Sequence, residues 1–316
     1  MKHHRWLLII LSALSLTIVQ AQTSRTNSAA AYLERGKSYF EKGEMERALA
    51  DFELALRFDP DSAMAYSNRG LVYSLQGDLE RALADLERAL ELNPRLDKAW
   101  ANRSSIWYHK GKYERAISDA SQAIALNPRG ASAWSNRGIA RHERGDLEGA
   151  LSDLNQSLKL DAKHAIAWNN RGAIHFSKGD WDSAIRDNTQ AIKLQPDFAE
   201  AWGDRGAARK FKGDFAGALA DYNRAIELNP QLDTAWFNRA MLWLEQGDKE
   251  RARADLDKTI ELQAGTAADA FAQRGLLRLR QGHEADAQAD FAQALQRNPK
   301  LRADLERKIA AVRLAK

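Results

Sequence analysis

Eight arginines recur along this chain at an almost constant interval, at Arg35, Arg69, Arg103, Arg137, Arg171, Arg205, Arg239 and Arg274. Eight aspartates keep step with them, at Asp51, Asp85, Asp119, Asp153, Asp187, Asp221, Asp255 and Asp290. A guanidinium is a planar fork of donors that suits a carboxylate, so matched rows of this kind can build an ion-pair ladder. Left unpaired, the same arginines would offer a row of cations to an acidic ligand. The matching aspartates favour the ladder, because a paired charge has little left for a partner. A third row stands one residue before the arginines: Asn68, Asn102, Asn136, Asn170 and Asn238, with Asp204 and Gln273 continuing it and Glu34 opening it. A carboxamide has donors and an acceptor, which match a peptide group whatever its side chain. Asparagine is also a poor helix former and needs a reason to stand inside one. The row either holds a ligand or bonds neighbouring helices of the protein's own stack.

Other chemistries fail on spacing. "GKS" at 36–38 echoes the end of a phosphate loop, but Ala31 occupies the slot of the earlier glycine and the stretch reads as helix. A phosphate loop must be a loop that precedes a helix. His109, His142 and His175 recur every 33 residues, which turns each by one helical step from the last. Packed helices stand roughly 10 Å apart, whereas zinc needs its ligands about 2 Å from one ion. Surface histidines are expected. The chain has no cysteine, which removes disulfides and thiolate metal sites together. Gly-rich dinucleotide loops, nucleophile elbows and paired His-Glu metal motifs are missing too. The reading is therefore of a protein that is not an enzyme, with no cofactor and no metal. A balance of 47 basic against 43 acidic residues is too even to suggest nucleic-acid binding, which needs a clustered basic surface.

The rows need helices to carry them. Trp100, Trp134, Trp168, Trp202 and Trp236 are 34 residues apart, with Tyr32 and Tyr66 before them and Phe271 after, one residue late. A small residue stands four places further on, as at Gly70, Ser104, Gly138, Gly172, Gly206 and Ala240. Alanine recurs at Ala48, Ala82, Ala116, Ala150, Ala184, Ala218, Ala252 and Ala287. Proline closes six of the units, and Ala162 and Ala264 close the other two. Each unit has two amphipathic halves of about 14 residues, an ordinary helix length. Gly-Asp divides them at residues 77–78, 145–146, 179–180, 213–214 and 247–248. Glycine supplies a left-handed helix end, and aspartate then caps the next helix. In an antiparallel hairpin, residues equidistant from the turn lie at one height. Asp85 is as far from Gly77 as Arg69 is, and as far from Pro94 as Arg103 is. Each aspartate could thus face the arginine of its own unit, of the next, or both.

This pattern resembles the tetratricopeptide repeat family, over eight gapless units at 29–301. The resemblance implies an all-α, right-handed superhelical solenoid of helix-turn-helix units that binds protein segments on a concave face lined by first helices. Arginine replaces the leucine usual in its slot, as in the "NRG" type of bacterial repeat. The asparagine row is similar to the ladder in the repeat domain of O-linked N-acetylglucosamine transferase, where carboxamides hold a peptide backbone. That places the protein-binding candidates at Asn68, Asn102, Asn136, Asn170 and Asn238, with Phe40, Tyr108, Phe176, Phe237, Met241 and Leu244 as further groove candidates, some of them packing residues. The lysine- and asparagine-rich carboxylate clamp of chaperone-tail receptors is not evident, since Ser67, Ala101, Ser135 and Asn169 precede the asparagines.

The ends differ from the repeats. A basic "MKHHR", an apolar run over residues 6–19 and small residues up to Ala21 read as a signal peptide at 1–21. The alternative is an N-terminal membrane anchor, for which the run is short. A flexible leader is expected at 22–28. Leu301, Leu305, Ile309 and Val312 form one stripe, so 302–316 reads as a capping helix that closes the last unit. The expectation is an exported scaffold, periplasmic or secreted, that holds a peptide or protein segment. The alternative is a structural or accessory subunit of a larger cell-envelope enzyme or transport assembly.

Overall fold

A computed structural model of the protein describes residues 28–314. The signal-peptide reading of 1–21 and nearly all of the leader lie outside the described residues. Those residues form helices joined by short turns, with no strand among them. The contacts divide the chain between Asp161 and Ala162. In the first half, α1 spans 28–41, followed by α2 (Met45–Phe58), α3 (Ala63–Leu75), α4 (Leu79–Leu92), α5 (Asp97–His109), α6 (Tyr113–Leu126), α7 (Ala131–Glu143) and α8 (Leu147–Leu160). In the second half come α9 (Ala165–Ser177), α10 (Trp181–Leu194), α11 (Ala199–Phe211), α12 (Phe215–Leu228), α13 (Asp233–Glu245), α14 (Lys249–Glu261), α15 (Ala267–Arg280) and α16 (Glu284–Arg297). A 3-10 turn (Pro299–Leu301) and α17 (Arg302–Leu314) end it.

Each odd helix from α1 to α15 pairs with the even helix after it, and the turn between them is dictated by its residues. Gly77 has φ +82°, a conformation that side chains resist. Asp78 then accepts a hydrogen bond from the Arg81 amide at 3.0 Å, which satisfies one free donor at the start of α4. Asp146, Asp180, Asp214 and Asp248 cap α8, α10, α12 and α14 in the same way. Glu44, Lys112 and His283 stand in the corresponding places without a side-chain cap, although the preceding glycines are left-handed there too. Turn conformation is thus set by the glycine, and the aspartate adds stability.

Packing depends on the small residues. A methyl group at Gly138 would lie 2.9 Å from the Leu154 side chain and 3.2 Å from the Ala150 carbonyl, so α7 and α8 approach too closely for anything larger. Ala82, Ala116, Ala150, Ala184, Ala218 and Ala252 are fully buried. The tryptophans do more than fill gaps. The Trp100 and Trp134 indoles donate to the carbonyls of Pro94 and Pro128, both at 2.9 Å. Trp168, Trp202 and Trp236 do the same to Ala162, Pro196 and Pro230. The bond needs only a carbonyl, so Ala162 can replace proline there. At the end of the chain, Leu305 and Val312 are buried in a cluster with Leu276, Leu279 and Phe291, and Leu301 and Ile309 pack against it. Among the described residues no helix is long and apolar enough to cross a membrane.

Candidate protein-binding face

The ladder closes within each hairpin. All eight arginines donate Nε and Nη2 to the two oxygens of the aspartate in their own unit, at 2.6–3.0 Å. The aspartates are all buried. The aromatic one turn earlier covers the face of the guanidinium, as Trp100 does for Arg103 at 4.7 Å and Trp202 for Arg205 at 4.7 Å. The hydrogen bonds to Asp85 raise the Arg69 pKa further above its usual value. Of the pairings open in the sequence, own-unit pairing is therefore the one adopted. The preceding hairpin is reached by the third nitrogen instead. Nη1 of Arg137 meets Ser121 Oγ at 3.3 Å, that of Arg205 meets Thr189 at 3.3 Å, that of Arg239 meets Asn223 at 2.6 Å, and that of Arg274 meets Asp257 at 2.6 Å.

A second cation was not anticipated. Arg141, Arg209 and Arg278 stand one turn after a ladder arginine and donate Nη1 to the same aspartate, each at 2.8 Å. His175 occupies the same slot, with Nε2 3.7 Å from Asp187 and Nδ1 3.6 Å from Asp180. In the other hairpins that slot holds Tyr39, Tyr73, Trp107 or Trp243, and an arginine on the second helix stacks on the ring: Arg47, Arg81, Arg115 or Arg251. The signal was present in the sequence. An aromatic in the slot goes with arginine eight residues later, and Arg141 and Arg209 go with Gly149 and Gly217. The expectation of surface histidines needs correction. Of the three, only His109 is exposed; His142 is half-buried, and His175 joins the ladder. No three potential metal ligands gather among the described residues.

The asparagine row lies on α3, α5, α7, α9 and α13, all first helices of hairpins, and each member is half-buried. Its members differ in what they bond. Asn136 donates to the Ala101 carbonyl at 2.9 Å and so ties α7 to α5, a stacking role. The Asn68 amide nitrogen is buried without a partner. Asn102 and Asn238 make no hydrogen bond through their side chains among the described residues.

The apolar candidates divide similarly. Phe40 packs against Phe52 and Val72, and Phe237 packs against the C-terminal cluster. Both are packing residues, because their rings meet the core of their own half. Phe176 stacks edge-on with Trp181 at 4.9 Å and Phe211 at 5.3 Å. Tyr108 lies beside Tyr113, and burial with the nearby Glu143 pushes its hydroxyl up to about 12. Met241 lines a cavity of about 530 Å³ with Gln273, Leu276, Arg280 and residues of α17.

One site in the row carries a charge. Asp204, on α11, accepts a hydrogen bond from Asn169 at 2.7 Å, and the same amide nitrogen donates to Asn188 at 2.8 Å. Burial pushes Asp204 from its ordinary 3.8 up to about 6, against the pull of Asn169, and Glu200 adds to the rise. Fully buried Tyr222 has a hydroxyl with no partner. Its pKa is raised by burial and by Glu245, Asp204 and Asp221.

A series of equivalent helical hairpins whose buried charges neutralise one another defines a helical-repeat protein of the scaffold class. The chain belongs to the tetratricopeptide repeat family, whose profiles match residues 36–106, 110–165, 165–198, 199–232 and 234–265. No curated protein matches the sequence. Among solved structures, the Cut9–Hcn1 hetero-tetramer of the APC/C is similar with a TM-score of 0.67 and 18% identity, over 84% of this chain and 48% of that one. The chain thus spans about half the length of that relative. A tetratricopeptide repeat protein from Parabacteroides merdae gives 0.57 at 22% identity, over 76% of this chain and 95% of that one. Pseudomonas aeruginosa pilF gives 0.55 at 19%, over 69% and 99%. At these identities the likeness is one of fold.

Proposed function

We propose that the protein is an exported, non-enzymatic scaffold that holds an extended peptide or protein segment along the asparagine row. The observation that carries this reading is the unused hydrogen-bonding capacity there. Asn102 and Asn238 present half-buried carboxamides that bond nothing in the protein's described residues. These carboxamides keep access to solvent, and a peptide backbone would satisfy them without regard to side chain. The arginines are excluded from this role because their forks are closed on aspartate.

The test is selection of a displayed random-peptide library on the full chain. Replacing Asn102 and Asn238 together with alanine removes two neutral hydrogen bonds, each worth about 0.5–1.5 kcal/mol. Affinity for a selected peptide should fall roughly five- to a hundredfold, with helicity unchanged. Asn136→Ala should instead lower the melting temperature, because its bond is internal. Unaltered binding in the double variant would count against the row.

A second reading has its own observation. Phe211 is 60% exposed and stacks on Trp181, and Phe215 nearby is 41% exposed. An aromatic patch beside the helical turns suits an accessory subunit of a larger envelope enzyme or transport assembly. Export rests on residues 1–21, and N-terminal sequencing of the native protein checks it: a mature chain starting at Gln22 is expected, and one retaining Met1 in the membrane fraction would favour an anchor.

A further inference from the structure

In the second half, the residue three places after the row is Ala173 and then Ala207, but Met241 and Leu276 in the last two hairpins. The row itself continues through Asn238 and Gln273, and Lys308 follows Gln273 at the interval by which Gln273 follows Asn238. These residues meet at the cavity of about 530 Å³ lined by α13, α15 and α17. That volume lies within the range of about 300–1,000 Å³ usual for ligand sites. Leu276 and Val312 are buried and form the floor, Met241 is half-buried, and Arg280 and Lys308 are exposed at the rim. Arg280 makes no hydrogen bond or ion pair among the described residues, although Arg274 and Arg278 on the same helix are both closed on Asp290. Glu245, which ends α13 as Arg280 ends α15, is bound to Lys210 at 2.7 Å. The Gln273 carboxamide is likewise unbonded. Lys308 pairs with Asp304 on its own helix at 2.6 Å, an exposed contact of little strength. No carboxylate is among the described residues that line the cavity. An apolar floor under a cationic rim complements an apolar group held close to an anion.

We propose, resting on the reading of the row as a peptide-binding face, that this cavity selects an acidic residue and an apolar residue two positions apart in the bound segment. In an extended chain, side chains two positions apart point the same way and stand about 7 Å from each other. The apolar one lies on Leu276, Val312 and Met241. The carboxylate of the other meets the open fork of Arg280, whose planar donors suit it bidentately, and Lys308 adds its charge. Gln273 bonds the backbone between them, as a carboxamide can whatever the side chain there.

Random-peptide selection on the full chain, repeated on Arg280→Gln and Arg280→Glu, tests this. Arg280 is exposed and unpaired, so both variants should fold with unchanged helicity. The wild type should enrich peptides with Asp or Glu two positions from an apolar residue. Changing that acid to its amide should weaken binding by about fivefold or more, and added salt should narrow the difference. Arg280→Gln should bind acid and amide peptides alike, and Arg280→Glu should enrich a basic residue in the acid's place. Peptides enriched without the acid, an acid with no apolar residue two positions away, or the same acid preference on Arg280→Gln would overturn the pocket. So would a need for the peptide's free terminal carboxylate in place of an acidic side chain. Each of these leaves the peptide-binding face standing if the Asn102 and Asn238 double variant still loses binding. A wild type that enriches no peptide overturns both.

Discussion

Asp153 receives three charge-assisted hydrogen bonds, two from Arg137 and one from Arg141, while only 2% exposed. Asp153→Ala should therefore destabilise the first half by about 3–5 kcal/mol, because two guanidinium groups lose their counter-charge in a semi-buried site. Urea denaturation measures it, and an unchanged midpoint would mean that these charges are solvated. The second cation makes a finer prediction. Arg137→Leu leaves Asp153 with Arg141, whereas Arg103→Leu takes from Asp119 the guanidinium that holds both of its oxygens, with Trp107 rather than an arginine in the second slot. Arg103→Leu should cost more, and equal losses would show that Arg141 contributes nothing. Asp204 behaves oppositely. Its folded pKa of about 6 lies above its ordinary 3.8, so the folded protein binds more protons than the unfolded chain between those values. The penalty is fully present above pH 6 and fades as pH falls towards 4. Asp204→Asn should raise stability at pH 7 by at most about 3 kcal/mol, and the gap between variant and wild type should narrow as pH falls. A gap independent of pH would place the carboxylate in water.

Helices and turns were largely legible in the sequence, because each boundary is written in a residue with a local reason. Gly77 must be left-handed to turn the chain, and Asp78 must cap α4. The partner of each aspartate was not legible, because Asp85 mirrors Arg69 across the turn at Gly77 and Arg103 across the turn at Pro94. What decides it is the packing of the hairpin, and in four units a Ser, Thr, Asn or Asp on the preceding unit occupies the third guanidinium nitrogen. The division of the asparagines into bonded and unbonded members was equally hidden, since Asn102 and Asn136 occupy equivalent slots and only Asn136 bonds a carbonyl of the preceding first helix. The missing caps offer a prediction at this scale. Lys112 precedes α6 without a side-chain hydrogen bond, although Gly111 before it has φ +67°. Lys112→Asp should let the carboxylate accept the Arg115 amide, as Asp78 does from Arg81. A gain of about 1 kcal/mol is expected, read as a higher melting temperature. No gain would mean that this turn departs from the geometry of its capped counterparts.

Repeat proteins are stabilised by contacts between neighbours alone, so damage at one place should stay near it. The last hairpin, α15 and α16, has no ninth hairpin after it among the described residues, and α17 covers its apolar surface instead. Leu305 and Val312 are buried against Leu276, Leu279 and Phe291, while Arg307 and Arg302 point their charges at Asp304 and Glu306 on the same helix. Removing residues 302–316 would expose that cluster and withdraw two buried aliphatic side chains, each worth about 1.5–3 kcal/mol. Amide hydrogen exchange should then rise sharply in peptides from α15 and α16. It should rise less in α13 and α14, and not at all in α3 to α6, many helices earlier in the sequence. The ladder sharpens the expectation, because every ladder arginine binds its own hairpin bidentately, whereas Arg137, Arg205, Arg239 and Arg274 reach the preceding hairpin by a single nitrogen. Cohesion within a hairpin thus exceeds cohesion between hairpins, and fraying should proceed one hairpin at a time from the cut end. A uniform rise in exchange along the chain would show instead that the hairpins unfold together, and that the links through Ser121, Thr189, Asn223 and Asp257 count for more than their number suggests.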